Sequence, residues 1–265
     1  MNMTKKFCFT VDVDRDANEC VTGRVAAASL RSGGNARFTS SAKGTGIILD
    51  ILSEMGIKAT FFAEARTLEN IDVHFGNNEV AMHGLDHEDL TGELSGITLS
   101  DDEINKIMRT SSDIIKERTG TRPKGFRAPY MRTSERIMNI LPKFGVVYDS
   151  SLYSELSKKM HPYDVGNGMR EIPVPVRTDG NGKRTAAYLW PMHEGIRTPD
   201  EYVRMADTVE EGVFVIATHS WHIVESRNGI MDAAQREKNI GNVRKIVTAV
   251  LDNGFKAARM IDTVG

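Results

Sequence analysis

Residues 7–14 read Phe7-Cys8-Phe9-Thr10-Val11-Asp12-Val13-Asp14, an apolar run that ends in two acidic positions. The run alternates with a period of two, as a β-strand does, and so places Asp12 and Asp14 on one face, ~6.6 Å apart along the strand. Carboxylates this close repel each other and raise a pKa unless a cation or an arginine lies near them. The pattern predicts either a cation site at the end of this strand or a strand that simply ends in polar loop residues.

Six further apolar and β-branched runs follow, with amphipathic stretches between them. The seven predicted strands cover residues 6–14, 59–63, 79–82, 125–128, 146–149, 170–174 and 212–218. Alternating strands and helices are typical of a parallel sheet or barrel, and 265 residues suit one large domain. We predict a single α/β domain over residues 1–265, folded as a distorted (β/α) barrel of about seven parallel strands.

Three predicted helices have clear boundaries. Ser100 and Thr198 each begin a helix as the first residue of a capping box. Apolar residues at helical spacing between positions 47 and 55 predict a third helix, which ends before Gly56. Two segments, residues 15–44 and 150–183, do not fit the alternation and are predicted to be long loops. Loops of this length either cover a binding site or form a surface excursion or an oligomer contact.

The overall charge and the distribution of apolar residues argue against two kinds of partner. The chain carries 34 basic and 36 acidic side chains, a formal net charge of −2. It lacks the basic stripe that a phosphate backbone requires, so no nucleic-acid partner is expected. No window approaches the ~18 consecutive apolar residues of a membrane-spanning helix, so no membrane partner is expected either. The sequence leaves a homo-oligomer open.

The N-terminus and the cysteines bear on location. Residues 1–6 have the positive start of a signal peptide, but Asp12 interrupts the apolar stretch that follows, so no signal peptide is expected. The two cysteines, Cys8 and Cys20, allow at most one disulfide and match no zinc-finger spacing. This usage is typical of a reducing compartment, and we expect a cytoplasmic protein.

His83 and His87 lie four residues apart, directly after the third predicted strand. Imidazoles at this spacing meet on one face of a helical turn and are spaced as metal ligands often are. With one carboxylate from the first strand they make three protein ligands, the number that a catalytic zinc site uses while it keeps a position for water. The alternative is a pair of solvated or helix-capping histidines.

Other predicted strands also end in ionisable groups. Arg127-Ala128-Pro129-Tyr130 closes the fourth strand, Asp149 ends the fifth and His219 follows the seventh. The active site of a parallel α/β barrel lies at the carboxyl ends of its strands. An arginine at that rim can hold a carboxylate with two hydrogen bonds, although a core-edge arginine beside a turn proline is the simpler interpretation of residues 127–130. Taken together, the strand ends predict one active site.

These motifs resemble those of the polysaccharide deacetylases of carbohydrate esterase family 4, also called the NodB-homology group, over nearly the whole chain. The five family motifs correspond here to residues 10–14, His83 with His87, residues 127–130, Asp149-Ser150 and His219. The family's adjacent aspartates are split here into Asp12 and Asp14. In having this split pair, the chain resembles the branch of the family that includes peptidoglycan deacetylase-like and allantoinase-like enzymes.

Two residues that normally form the wall of the family's acetyl pocket differ in this chain. The tryptophan after the fourth motif is missing, with Tyr153 nearby, and Ala217 stands where a leucine is usual. Trp190 and Trp221 are the candidates to replace that wall, or else they are core residues. The acyl group therefore stays open at this point.

The resemblance implies a divalent metal ion, zinc or else cobalt, nickel or manganese. Its ligands would be Asp14, His83 and His87. Asp12, held ionised by Arg127, is implied as the general base, and the two aspartates could exchange these roles.

The remaining motif residues are implied to handle the oxyanion and the leaving group. The Tyr130 backbone N–H would bind the oxyanion, and His219, kept charged by Asp149, would protonate the departing nitrogen. The implied function is metal-dependent hydrolysis of a carbon–nitrogen amide bond, foremost N-deacetylation of an amino sugar or of an oligo- or polysaccharide that contains one. The alternatives are allantoinase-like hydrolysis of a small linear or cyclic amide, ureide or imide, and carbohydrate binding without catalysis.

Overall fold

The computed structural model describes residues 5–264. Residues 1–4, part of the stretch considered above as a leader, and Gly265 lie outside the described residues, as do the two ends of the predicted 1–265 domain. The strands are β1 Lys5–Val13, β2 Asn18–Glu19, β3 Ala28–Ser29, β4 Thr60–Ala63, β5 Glu79–Met82, β6 Gly125–Phe126, β7 Tyr148–Asp149, β8 Tyr153–Glu155, β9 Lys159–Met160, β10 Tyr163–Gly166, β11 Met169–Glu171, β12 Val174–Thr178, β13 Arg184–Ala186, β14 Glu211–His219, β15 Glu225–Ser226, β16 Gly229–Ile230 and β17 Lys256–Ala257.

Seven α-helices are described between residues 5 and 264. They are α1 Thr39–Glu54, α2 Ala65–Asn70, α3 Asp101–Thr119, α4 Glu135–Ile140, α5 Trp190–His193, α6 Pro199–Thr208 and α7 Ala233–Asp252. The capping boxes at Ser100 and Thr198 are present, and Gly120 ends α3 in the left-handed conformation. Gly56 follows α1 with a φ of 65°, as the sequence predicts. None of the described helices has both the length and the apolar composition needed to cross a membrane.

The main sheet has the order β10-β11-β7-β6-β5-β4-β1-β14-β9, with β17 also pairing with β1. All of these pairs are parallel except β10 with β11. The sheet curls into a half-barrel, and both central strands β1 and β4 are almost entirely buried. Because the strands are parallel, their carboxyl ends share one rim. The predicted α/β fold, a distorted barrel in one domain, is confirmed.

The two segments predicted as long loops contain more structure than expected. Residues 15–38 hold the short β2–β3 pair, and α1 begins at Thr39 rather than after residue 44. Residues 150–183 hold strands β8 to β12. The strand predicted at 170–174 is divided into β11 and β12 around Pro173, which has no N–H to continue the ladder. This region is ordered by pairing between strands that are distant in sequence, such as β12 with β8. Such pairing leaves no local pattern in the sequence.

Candidate active site

A cavity of about 370 Å³ opens at the carboxyl ends of the strands; we call it the inner cavity. The predicted residues that border it are Asp12, His83, His87, Tyr130 and His219. Asp14, Arg127 and Asp149 do not border it and are fully buried behind its wall. Five of the eight predicted site residues therefore meet in one cavity, and the other three must act through their neighbours or through a ligand between them.

Asp14, His83 and His87 form a compact group. One potential ligand atom from each lies within 4.8 Å of the others, and His87 Nε2 is 3.4 Å from Asp14 Oδ2. His83 Nδ1 lies 2.7 Å from the Arg127 carbonyl oxygen, to which it donates, and this leaves its Nε2 unprotonated and free to bind a metal. Burial lowers the pKa of both histidines, so both imidazoles are neutral, as metal ligands are.

Asp14 shows that this group suits a cation. Its Oδ1 is buried with no hydrogen-bond partner among the described residues, and Asn18 donates to its Oδ2. Burial and the nearby Asp12 carboxylate raise the pKa of Asp14 well above its ordinary value. A buried, underpartnered carboxylate beside two neutral imidazoles is costly as it stands, and a divalent cation would satisfy all three groups.

The loop that carries His87 is braced by Arg15. The Arg15 backbone N–H donates to Glu64 Oε2 at 2.7 Å, and the Arg15 Nε donates to Glu64 Oε1 at 2.9 Å. The Arg15 Nη2 lies 3.1 Å from Asp86 Oδ1. Arg15 directly follows Asp14 and Asp86 directly precedes His87, so one buried guanidinium fixes the chain on both sides of the group. His87 itself has a φ of 51°, which a non-glycine residue adopts only when its surroundings impose it.

Asp12 is the second focus of the site. Arg127 Nη1 donates to its Oδ1 at 2.8 Å, and Tyr188 Oη donates to its Oδ2. Burial acts to raise the pKa of Asp12, but the charge of Arg127 and the hydrogen bond from Tyr188 outweigh it, and the pKa is lowered. Arg127 is held in turn by Thr10 Oγ1 at 2.9 Å and by the carbonyl oxygen of Ser150 at 3.1 Å. An ionised carboxylate therefore faces the inner cavity in a fixed orientation.

Tyr130 and Met131 follow Pro129 with left-handed backbones, φ 61° and 56°. Consecutive non-glycine residues in this region cost on the order of 1–3 kcal/mol each and are concentrated at functional sites. The turn leaves the Tyr130 backbone N–H without an acceptor among the described residues. The Tyr130 ring packs edge-on against His87, with the ring centroids 4.5 Å apart. Tyr130, whose N–H is free, thus borders the cavity beside His87.

His219 does not have the partner expected for it. Its Nε2 lies 3.3 Å from Tyr188 Oη and 3.9 Å from Asp14 Oδ2, and its ring stacks on Trp221 with the centroids 5.3 Å apart. Burial lowers the pKa of His219 to about 3. The expectation that Asp149 keeps His219 charged is therefore wrong: the imidazole is neutral near pH 7, and Tyr188 is the residue within hydrogen-bonding distance of its Nε2.

Asp149 instead positions the turn that carries Tyr130. Its Oδ1 accepts a hydrogen bond from Ser151 Oγ at 2.7 Å, and Ser151 Oγ accepts one from the Ala128 backbone N–H at 2.8 Å. Glu171 lies beside Asp149, and burial together with that neighbouring carboxylate raises the pKa of Glu171 to about 11, so Glu171 is protonated. Asp149 is therefore a positioning residue, and the titratable group beside it is Glu171, which the parallel pairing of β11 with β7 brings into register with it.

Sequence reasoning missed Tyr188 and Asn18. Tyr188 reaches the site because its backbone bridges to Ala217 on β14, a pairing that no local pattern indicates. Asn18 lies four residues after Asp14, and this short spacing could have marked it as a hydrogen-bonding partner. Of the two tryptophans proposed for the pocket wall, both border the inner cavity; Trp221 is buried under His219 and Trp190 is 42% exposed.

Comparison with known proteins finds a family match over part of the chain. Residues 39–148 match the family model described as polysaccharide deacetylase. A peptidoglycan deacetylase-like protein of Gibberella zeae is 30% identical over 154 residues, which cover 56% of this chain and 44% of that protein. The peptidoglycan deacetylase of Helicobacter pylori is 26% identical over 110 residues, 40% of this chain and 36% of that protein. The chain thus spans less than half the length of the curated relatives it matches.

Solved structures support the fold. A putative polysaccharide deacetylase from Mycobacterium smegmatis superposes with a TM-score of 0.65 at 21% identity, over 100% of this chain and 90% of that one. An allantoinase gives the same TM-score, 0.65, at 16% identity, over 99% and 90% of the two chains. A family 4 pseudoenzyme from Bacillus anthracis gives 0.57 at 16% identity, over 100% and 67%. The matched residues and the motifs support a polysaccharide deacetylase family of the NodB type, carbohydrate esterase family 4, for this chain, and the half-barrel is the fold of its structural neighbours.

Proposed function

We propose that this protein is a metal-dependent hydrolase that removes the N-acetyl group from an amino sugar within an oligo- or polysaccharide. The observation that carries the proposal is that His83 and His87 of the cation-binding group border the same cavity as Asp12, an ionised carboxylate held by an arginine, with Asp14 buried directly behind them. Amide hydrolysis needs an activated water, an oxyanion partner and a proton for the leaving nitrogen. The site contains a candidate for each requirement.

Asp14, His83 and His87 would hold the divalent cation. Zinc suits one carboxylate and two imidazoles, and cobalt, nickel or manganese would also bind such a set. When bound, such an ion would lower the pKa of a water molecule to ~7 and polarise a carbonyl oxygen.

Asp12 serves as the general base. Its lowered pKa keeps it ionised near neutral pH, and its hydrogen bonds from Arg127 and Tyr188 aim it at the inner cavity. The free Tyr130 N–H donates to the oxygen of the reacting carbonyl as negative charge develops, and one such donor is worth ~3 kcal/mol.

His219 delivers the proton to the leaving nitrogen. Because it is neutral at rest, it has to receive that proton during the reaction rather than store it. Tyr188 lies between His219 and Asp12 and hydrogen-bonds both, so it provides the path by which the proton taken by Asp12 reaches His219.

A second candidate function is hydrolysis of a small amide, ureide or imide. The separated aspartates and the missing tryptophan after Asp149 favour it. We also propose a cytoplasmic location, supported by the two free cysteines, Cys8 and Cys20. Cell fractionation with an antibody against this chain tests the location.

The deciding experiment is acetate release from N-acetylglucosamine oligomers of several lengths. The protein is assayed as purified, after chelation, and after zinc or cobalt is added back, with Asp12→Asn as the inactive control. We expect release that chelation abolishes and metal restores. Turnover of hydantoin or allantoin without acetate release would establish the second candidate, and saccharide binding without turnover of any substrate would indicate a non-catalytic protein.

A further inference from the structure

Three aromatic rings at the end of β14 form a compact cluster at the border of the inner cavity. His219 is the last residue of β14, and Trp221 and His222 follow it in one short 3₁₀ turn. The ring centroids are 5.3 Å apart for His219 and Trp221, 4.1 Å for Trp221 and His222, and 5.9 Å for His219 and His222. All three side chains border the inner cavity. We call them the ring cluster.

The His219 ring is held only weakly by hydrogen bonds of its own. Its Nε2 lies 3.3 Å from Tyr188 Oη, which is longer than the usual separation of about 2.9–3.0 Å. Its Nδ1 is buried and has no hydrogen-bond partner among the described residues. Asp149, the partner expected from the sequence, is bonded to Ser151 instead. The orientation of His219 must therefore come from the side chains that pack against it.

Trp221 packs against His219 but does not fix the cluster. Its Nε1 is also buried without a hydrogen-bond partner among the described residues. Trp221 therefore contributes packing surface and no directional bond from its ring. Because apolar packing is non-directional, another group has to set the orientation of the ring cluster.

Glu194 provides the directional bond. His222 Nε2 donates to Glu194 Oε1 at 2.7 Å, and the Arg227 backbone N–H donates to the same oxygen at 2.8 Å. The hydrogen bond from His222 lowers the pKa of Glu194, so this carboxylate is ionised and only accepts. Burial lowers the pKa of His222, so its neutral ring carries the proton on Nε2. Hydrogen bonds to an ionised acceptor are shorter and stronger than those between neutral groups.

The end of α5 supports His222 in a second way. His193, the residue before Glu194, packs against His222 with the ring centroids 5.4 Å apart. His193 Nε2 lies 3.0 Å from Thr218 Oγ1, on β14. Two adjacent residues at the end of α5 therefore contact His222, one through a hydrogen bond and one through its ring.

We propose that Glu194 is a positioning residue for His219 and acts through His222 and Trp221. Glu194 holds His222 in one orientation, and the packed rings of His222 and Trp221 keep His219 Nε2 directed at Tyr188. The proposal rests on the proposed hydrolysis only where it concerns turnover. In a purely structural interpretation Glu194 ties α5 to the turn after β14 and has no effect on His219, which it does not contact.

NMR of the histidine rings separates the two interpretations without turnover. The metal-free protein is labelled with ¹⁵N in its seven histidines, and long-range ¹H–¹⁵N spectra distinguish Nδ1–H from Nε2–H rings. Glu194→Gln keeps an acceptor oxygen and should keep His222 as the Nε2–H tautomer. Glu194→Leu removes the acceptor, so His222 should show both tautomers and the His219 signals should shift or broaden. The signals of His74, an exposed histidine outside the inner cavity, should not change.

Turnover is measured on the same variants. Glu194→Leu should lower kcat about tenfold with KM and metal content unchanged, because the proposed task of His219 is proton delivery rather than binding. Glu194→Gln should stay within about twofold of the parent protein. His222→Phe keeps a packed ring and removes the same hydrogen bond, so it should match Glu194→Leu in kcat and in the His219 signals. The double variant should lose no more than either single variant, because the two residues act as one unit.

Glu201→Leu is the matched control. Glu201 on α6 is half-buried like Glu194, accepts hydrogen bonds from Arg197 and Thr198, and does not border the inner cavity. Its replacement should lower the unfolding free energy and leave kcat unchanged.

The other outcomes each refute a defined statement. His219 signals that are unchanged in both Glu194→Leu and His222→Phe would refute the positioning of His219 and leave the structural interpretation. Changed His219 signals with the kcat of the parent protein would refute a role in the reaction, and additive losses in the double variant would refute a shared path. Absence of turnover in the parent protein would refute the proposed function alone, because the NMR spectra decide the positioning of His219 separately.

Discussion

The inner cavity and the cavity of about 310 Å³ beside it, the outer cleft, share the aromatic residues Tyr153, Tyr188 and Trp190. The two cavities are otherwise built in opposite ways. The ionisable groups of the inner cavity follow directly from the central strands, and Asp12, His83 and His87 are at most 2% exposed. The outer cleft is bordered by residues between 153 and 197 on short elements and loops, among them the exposed side chains of Tyr153, Trp190 and Ile196. Chemistry requires groups that are fixed in place, which buried strand ends provide. Recognition of varied substrates tolerates exposed groups on less regular elements.

The largest expected effect comes from removing a member of the cation-binding group. His83→Ala or Asp14→Ala should abolish both metal content and turnover, because each removes one of three protein ligands. His219→Ala should retain the metal and lose turnover. Metal content by mass spectrometry and acetate release are measured on the same preparations. His74→Ala, at an exposed histidine outside the inner cavity, is the matched control, and full metal content in the His83 variant would refute the ligand assignment.

Tyr188→Phe tests the path between Asp12 and His219. The change removes the hydroxyl that hydrogen-bonds both residues and keeps the ring. A hydrogen bond to a charged group is worth about 1.5–3 kcal/mol, so we expect kcat to fall by ~10- to 100-fold with metal content unchanged.

Tyr148→Phe is the control for that substitution. Tyr148 is also buried and donates to Glu79 Oε1 at 2.8 Å, outside the inner cavity. It should lower the unfolding free energy and leave kcat unchanged. A Tyr188 variant with the kcat of the parent protein would show that Tyr188 only fills space.

The fold and the site could be predicted from the sequence only in part. The strand order along the chain, the capping boxes and the placement of His83 near Asp14 follow from local patterns, because each depends on residues close in sequence or on a shared rim of parallel strands. The partner of Asp149 could not be predicted, because Glu171 reaches it only through the pairing of β11 with β7. Tyr188 likewise depends on a single bridge to Ala217. Long-range pairing, rather than motif content, was the missing information.

A smaller effect, on the unfolding free energy rather than on turnover, is expected from the pair of Glu171 and Asp149 behind the inner cavity. Burial and the neighbouring carboxylate raise the pKa of Glu171 from its ordinary 4.5 to about 11 in the folded protein. Between these values the unfolded chain is ionised and the folded protein holds the proton, so stability is greatest at low pH and falls as pH rises. One proton accounts for at most about 1.4 kcal/mol per pH unit.

Glu171→Gln should remove this dependence. Glutamine keeps the shape and cannot ionise, so the unfolding free energy from urea titrations should decline less steeply between pH 5.5 and 8.5 than in the parent protein. Glu117→Gln, at an exposed glutamate of α3, should leave the slope as it is. Identical slopes in the Glu171 variant and the parent protein would mean that Glu171 is ionised in the folded state.

The smallest expected effect lies in the outer cleft and concerns Ile196, which borders it and not the inner cavity. Because Ile196 is 64% exposed, Ile196→Ser removes little that stabilises the fold, and the unfolding free energy should change by less than about 0.5 kcal/mol. A sugar ring that covers roughly 25 Å² of this side chain gains ~0.6 kcal/mol, so KM for a disaccharide should rise about two- to threefold while kcat stays constant. The same change in KM for the monosaccharide would place Ile196 against the ring in the inner cavity and remove the distinction between the two regions.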